Sequence, residues 1–400
     1  MDPVKRQYEA YPYPDRDPAD EAKRLVTGSP SDPPEIDHML FGGARDWRKP
    51  FKALVAGGGT GDGLIMLAKK LSTMKVDAEI LYLDMSTASR EVAEARAAAR
   101  GLTSITFETG DLLTAPDRGE FDYVDCTGVL HHLPDPQAGF NALARAIAPG
   151  GGMGGMVYAP YGRTGVYPLQ NALNALTAGQ APQDQVAVVK SVLKGLPRTN
   201  WFPQNQNLVD HKQSDAGLYD LLLHSRDRPY TVGELAETLG VAGLHLTGFT
   251  EPARYDPRLY LPEAVWPRLD GLDMVAQAAL AEQLAGNMKV HVFYACRVEE
   301  ARGAAVPGPK MRPRLNGLPA RAVGSEIARK GVLKIDMDGL KLKREIPRKA
   351  GDLISLADGR MQLGQIAQAK GMDWFSFAAA WKPVHDVLCG HNLMRYSDGW

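Results

Sequence analysis

Several short groups of residues in this chain could do chemistry together. Gly57-Gly58-Gly59-Thr60-Gly61 is a glycine cluster directly behind the apolar Leu54-Val55-Ala56. Glycine permits a tight turn there and lets backbone N–H groups come close to a ligand at a helix N-terminus. Asp84 comes about twenty residues later, where a carboxylate can accept bonds from two ribose hydroxyls. Asp111 follows Gly110, and Gly128-Val129-Leu130-His131-His132-Leu133 carries paired histidines. Paired imidazoles either move protons near neutral pH or fix a loop. Asp125 is a carboxylate that bonds either the loop or a substrate, and Tyr158 and Tyr161 flank Ala159-Pro160.

To act together these residues must be brought to one edge. The pattern predicts strands over 51–56, 79–84, 104–108, 121–126 and 153–159, with helices over 63–72, 87–100 and 137–148 between them. Pro149-Gly150-Gly151-Gly152 reads as a turn into the fifth strand. Such alternation builds a doubly wound sheet and delivers the carboxyl ends of all five strands to one crevice. Two further strands, 244–249 and 288–297, fit a reversed hairpin closing the sheet, and 261–284 reads as a helical excursion within it.

The order and spacing of these groups over about 51–160 resemble the class I S-adenosylmethionine-dependent methyltransferases. The residues that carry the resemblance are the Gly57 to Gly61 loop, Asp84, Gly110-Asp111, Gly128-Val129-Leu130-His131-His132-Leu133 and Pro149-Gly150-Gly151. A nicotinamide enzyme would need Gly-x-Gly-x-x-Gly facing a pyrophosphate, a spacing that Gly57 to Gly63 fits only loosely. The resemblance implies an α/β fold with a doubly wound, mostly parallel seven-stranded sheet and helical insertions. It also implies S-adenosyl-L-methionine as cofactor and S-adenosyl-L-homocysteine as product. Ala56, Gly57, Gly59 and Gly61 would approach the methionine part, Asp84 with Met85 the ribose, and Asp111 with Leu112 the adenine. Thr127 and Gly128 would complete the cofactor wall. Many members carry an acid two residues before the first glycine, where it organises the loop and meets the cofactor's ammonium; Val55 stands there in this chain. The Val-Ala-Gly start is similar to a branch that includes bacterial protein-lysine methyltransferases, which favours a lysine amine as acceptor. A small-molecule acceptor and a non-catalytic cofactor-binding scaffold are the alternatives.

A methyl group on sulfonium is already electrophilic, so such a protein has mainly to align a nucleophile in line with the S–C bond and exclude water. No metal or covalent nucleophile is required. An amine acceptor must arrive neutral, which asks for a base or desolvation. His131 and His132 are the titratable candidates, with a loop-positioning role as the other reading, and Tyr158 and Tyr161 face the expected acceptor. After the fourth strand, Thr127-Gly128-Val129-Leu130 stands where methyltransferases of base or amide nitrogens often show Asn or Asp followed by Pro-Pro and an aromatic. That disfavours adenine or glutamine as acceptor.

Residues 1–50 form an arm or lid ahead of a catalytic domain at 51–299. The tyrosines and prolines of 8–18 predict extended chain, and Tyr11, Tyr13 and Arg16 could touch sulfonium or substrate. The alternative is an arm packed on the domain surface. A helical insertion at about 162–240 would build the substrate side, and the polar stretch 200–215 reads as a loop crossing near it. Residues 300–319 read as a linker to a small C-terminal α+β winged-helix-like domain at 320–400, with a hairpin turning at Asp338-Gly339.

Of the 400 residues 44% are hydrophobic, which supports a sizeable core and two or three domains, and 46 basic against 47 acidic residues give no global attraction to nucleic acid or membrane. Locally, 310–349 carries twelve Lys or Arg and four Asp or Glu, an excess of eight positive charges. That face could track phosphates or dock an acidic protein surface, with a solvated basic face as the other reading; aromatics are scarce there, so single-strand stacking is not indicated and nucleic acid is not favoured. Cys126, Cys296 and Cys389 are far apart without metal spacing and read as core residues in a reducing compartment. Met1-Asp2-Pro3-Val4-Lys5-Arg6 lacks the apolar core of a signal peptide, and no run of about 18 apolar residues occurs, so a cytoplasmic protein without a membrane span is expected.

Overall fold

The structure, a computed structural model, describes residues 2–399. Strands β1 (Phe51–Ala56), β2 (Ala78–Asp84), β3 (Ile105–Thr109), β4 (Phe121–Thr127), β5 (Ile147–Tyr158), β6 (Leu244–Phe249) and β7 (Val290–Arg297) form one sheet in the order β3-β2-β1-β4-β5-β7-β6. β1 to β5 run parallel, and β7 enters antiparallel between β5 and β6. The seven-stranded, mostly parallel sheet expected from the sequence is present. Side chains alternate across it: Ala53 and Val55 of β1 join one core, Leu54 and Ala56 the other. Covering both faces in this way is what a parallel sheet requires.

Helices α1 (Pro3–Ala10) and α2 (Pro33–Leu40) precede the sheet; α3 (Asp62–Thr73), α4 (Thr87–Ala99) and α5 (Pro136–Arg145) connect its parallel strands. α3 buries Leu64, Leu67 and Leu71, one stripe at helical spacing, and each leucine contributes about 1.5–3 kcal/mol by leaving water. The insertion holds α6 (Val166–Leu176), α7 (Pro182–Gly195), α8 (Trp201–Gln204) and α9 (Asp215–Leu222), which share their own core around Leu169, Leu173, Val189 and Leu222. α10 (Val232–Val241) and α11 (Met274–Ala285) cover the β5–β7 side.

Beyond these lie β8 (Arg312–Leu315), α12 (Ala320–Lys330), β9 (Val332–Met337), β10 (Leu340–Glu345), α13 (Gly351–Ile354), α14 (Leu363–Ala369), α15 (Trp374–Leu388) and β11 (Met394–Ser397). β9 and β10 pair as a hairpin whose turn residues Asp338 and Gly339 both have positive φ, the conformation an Asp-Gly turn supplies. β8 pairs with β11, and Ile327, Ile354, Phe377 and Trp381 fill the core of this part. Its end grips the beginning of the chain. The Arg395 guanidinium donates to Asp32 and Glu35, Ser397 donates to Asp37 at 2.5 Å, and Asn392 donates to Glu35 at 2.9 Å.

Three local expectations are corrected. Residues 8–10 are helical, because Asp2 caps α1 by accepting from Val4 N–H at 2.8 Å and Pro3 starts it; the extended segment begins after Ala10. Pro149 to Gly152 lies inside β5 as an irregularity, with Phe121 facing Ile147 and Tyr123 facing Gly152. The polar stretch 200–215 is partly helical, with α8 and a 3₁₀ turn at Asp210–Lys212. No helix among the described residues is long and apolar enough to cross a membrane.

Candidate functional site

A cleft of about 900 Å³ opens at the carboxyl edge of the sheet. The chain after β1 turns there with Gly57 at φ +70° and Gly59 at φ +51°, conformations that L side chains rarely adopt. A Cβ on Gly57 would come within 2.4 Å of Val129, and one on Gly59 within 2.8 Å of the Tyr13 carbonyl oxygen, so side chains here would fill the cradle. At the end of β2, Asp84 is 9% exposed and accepts from Ser86 N–H on one carboxylate oxygen and from Gly59 N–H on the other, both at 2.8 Å. Burial pushes its pKa up, and those backbone donors oppose the rise. Each oxygen keeps a lone pair for the cleft. The Tyr82 hydroxyl, donating to the Gly59 carbonyl at 2.7 Å, fixes the loop from behind.

The N-terminal arm roofs the loop. Thr60 donates its hydroxyl to the Pro14 carbonyl at 2.6 Å, and Glu9 caps α4 by accepting from Thr87 N–H at 2.8 Å. Arg16 forms a two-bond pair with Asp62 at 2.9 and 2.7 Å. Arg96, 1% exposed, donates to the same Asp62 at 2.8 Å, to Glu21 at 2.7 Å and to the Thr60 carbonyl at 2.7 Å. Cations and carboxylates buried together in this way hold only while all partners are present.

The far end of the cleft is polar and buried. Asp220, 4% exposed, accepts the Tyr8 and Tyr158 hydroxyls, both at 3.0 Å. Arg163 packs its guanidinium 3.7 Å from the Tyr158 ring centroid and donates to Asp227 at 2.9 Å. His132 stacks on His224 with centroids 3.7 Å apart. The Arg226 carbonyl oxygen, 2.7 Å from His132 Nδ1, can only accept; the proton is therefore on Nδ1 and the Nε2 lone pair is free. Burial lowers the pKa of His131, His132 and His224, leaving all three neutral. Burial likewise raises that of Asp220. Two groups, His131–His132–Asp227 and His132–Asp220–His224, bring possible metal-ligand atoms within 4.8 Å. His224 Nδ1 already accepts from Arg226 N–H at 3.1 Å, so its Nε2 carries a proton, and Asp227 already holds the Arg163 cation.

Of the residues expected at the cofactor, Gly57, Gly59, Asp84, Met85, Asp111, Leu112, Thr127 and Gly128 line the cleft. Ala56 and Gly61 do not: Ala56 points into the core, and Gly61 caps α3. Of the expected catalytic residues, His132 and Tyr158 line it, whereas His131 is packed behind them, 4.1 Å from each ring. Tyr13 lines it too. The other three expected acceptor contacts lie outside its walls: Tyr11 stacks on Tyr219, Arg16 is held by Asp62, and Tyr161 belongs to the short turn Tyr161–Arg163 beyond β5. Sequence reading missed Tyr8, Arg163, Asp220 and His224. The signal was a lone acid in the apolar Leu218-Tyr219-Asp220-Leu221-Leu222-Leu223, four residues before His224.

Residues 54–153 match a family described as a methyltransferase domain. An uncharacterized protein of Synechococcus sp. is 31% identical over 267 residues, 64% of this chain and 61% of that protein. The ubiquinone biosynthesis O-methyltransferase of Escherichia fergusonii is 33% identical over 94 residues, 23% of this chain and 38% of that enzyme. The chain thus spans less than two thirds of these relatives. The structure of PKMT2 from Rickettsia typhi in complex with AdoHcy shares the fold at TM-score 0.66 and 14% identity, over 92% of this chain and 75% of that one. The glycine cradle, the unspent lone pairs of Asp84 and the volume of the cleft fit an adenosyl cofactor. The chain carries a methyltransferase domain of the class I, S-adenosylmethionine-dependent fold.

Proposed function

We propose that the protein is an S-adenosylmethionine-dependent methyltransferase acting on an amine, with a protein lysine as the favoured acceptor. One observation carries this reading: a single cleft joins the glycine loop and Asp84 to a buried carboxylate held by two phenols beside a neutral imidazole. The bound cofactor would supply a methyl group on positively charged sulfur. Asp84 would hold the ribose, and the glycine loop would let the chain approach closely. At the other end, Asp220 with Tyr8 and Tyr158 would receive an amine by hydrogen bonds and charge. The free Nε2 of His132 would take the amine's proton, and the arm over the cleft would exclude water.

A small-molecule amine or phenol is the second reading, supported by the way Tyr8 and Tyr13 of the arm wall the cleft and by the O-methyltransferase relatives. Exposed Lys334, Lys341 and Lys343 on the β9–β10 hairpin would suit an acidic protein surface in the first reading. The test is incubation with methyl-labelled S-adenosylmethionine and either desalted cell protein or the small-molecule fraction. Label in acid-stable lysine supports the proposal; label only in the small fraction supports the second reading. No transfer to either, with the cofactor bound, would leave a binding scaffold.

A further inference from the structure

Building on the methyltransferase reading, we propose that the Asp125 side chain receives the ammonium of the cofactor's methionyl part, a task this chain has moved from its first strand to its fourth. Val55 of β1 and Asp125 of β4 are direct partners in the sheet, so their side chains stand side by side on the same face, two residues before Gly57. Both line the cleft. A Cβ on Gly63, in the first turn of α3, would lie 3.6 Å from the Asp125 carboxylate, which puts that carboxylate beside the glycine loop.

Of the other carboxylates of the cleft, Asp2 pairs with Arg226 and Asp210 belongs to the 3₁₀ turn of the insertion. Asp62 is neutralised by Arg16 and Arg96, Asp84 faces the ribose, and Asp220 holds the two tyrosines. Asp111 is exposed beyond β3. Asp125 is 2% exposed and accepts only neutral donors, the Ser31 hydroxyl at 2.5 Å and the Thr127 hydroxyl at 2.8 Å, one on each oxygen. No Lys, Arg or His forms an ion pair with it among the described residues. A buried carboxylate without a countercharge is costly, and one lining a ligand cleft is balanced when the ligand brings the cation. Ser31 and Thr127 leave each oxygen a lone pair and hold the group in place.

The experiment is calorimetric titration of S-adenosylhomocysteine and of 5′-methylthioadenosine, which keeps the adenosine and sulfur but has no ammonium, into the wild type and Asp125→Asn. A loss of about 30-fold or more for the first ligand, with the second within about threefold, is expected. Equal losses for both ligands, or no loss for either, would overturn the proposal. If Asn at this position prevents folding, the exchanged pair Val55→Glu with Asp125→Val carries the test. It should restore the preference for S-adenosylhomocysteine, and a folded exchange without that preference refutes the assignment. A wild type that binds neither ligand would overturn the cofactor reading and this inference with it.

Discussion

Replacing Asp84 by Asn is the sharpest perturbation of the cofactor half, because shape is kept and only charge and one acceptor are lost. Asp84 now accepts from two backbone donors, Gly59 N–H and Ser86 N–H, one on each oxygen. An amide can serve one of them; its NH₂ then faces the other donor, which costs about 1–3 kcal/mol. Release of a carboxylate whose ionisation is disfavoured by burial returns part of this, so the fold should lose about 1–2 kcal/mol. The ligand loses more. Two hydroxyl bonds to an ionised group, about 1.5–3 kcal/mol each, become one bond of about half that strength. The expected loss is about 2–4 kcal/mol, or roughly 30- to 1000-fold in Kd for S-adenosylhomocysteine. Titration calorimetry measures the binding and urea unfolding the stability. Affinity kept within about threefold, alongside the stability loss, would mean that Asp84 holds the glycine loop and does not reach the ligand.

Three further outcomes are expected. Burial pushes the Asp125 carboxyl up to about 6, above its ordinary 3.8, so the folded protein binds the extra proton between those values and its stability falls as pH rises through that window. The wild type should therefore lose stability relative to Asp125→Asn between pH 4 and pH 6 in the ligand-free state, a difference that cancels the similarly raised Asp37; a pH-independent difference contradicts the assignment. Gly59→Ala should cost about 1–2 kcal/mol for its left-handed backbone and push the arm away at Tyr13, seen as faster proteolysis within the first twenty residues; unchanged cleavage would show the arm is not held by this contact. Arg395→Ala leaves Glu35 and Asp32 buried without their guanidinium and should cost about 3–5 kcal/mol in urea unfolding. A loss under about 1 kcal/mol would show that Lys70, 2.8 Å from Asp32, compensates.

The sheet was legible because its strands are short apolar runs, as strands covered on both faces must be, and the glycine loop, Asp84 and Asp111 were legible because the crevice needs those types at that spacing. What escaped depends on partners distant in sequence. Arg16 looked like a ligand contact, and nothing near it in the chain announces Asp62 or the buried Arg96 that complete its network. α2 was not singled out within the 1–50 arm, because the partners of its buried acids Glu35 and Asp37, Arg395 and Ser397, arrive from the other end of the chain. His131 and His132 looked equivalent, and only the Arg226 carbonyl and the wall of the cleft separate them.

That grip of the last strand on α2 has a consequence for how the molecule comes apart. α2 follows directly on Ser31, whose hydroxyl holds Asp125, and on Pro30, whose carbonyl accepts the Tyr123 and Tyr294 hydroxyls at 2.7 and 2.9 Å. Asp32, which the final strand holds through Arg395, is therefore one residue of sequence away from Ser31 in the wall of the cleft. Cutting off the C-terminal part strands Asp32 and Glu35 without their guanidinium, so a shortened protein would report its own loosened cleft before it reported any lost recognition. The two parts should melt in one transition, and their functions are separable only by substitutions on the outer surface, never by scissors.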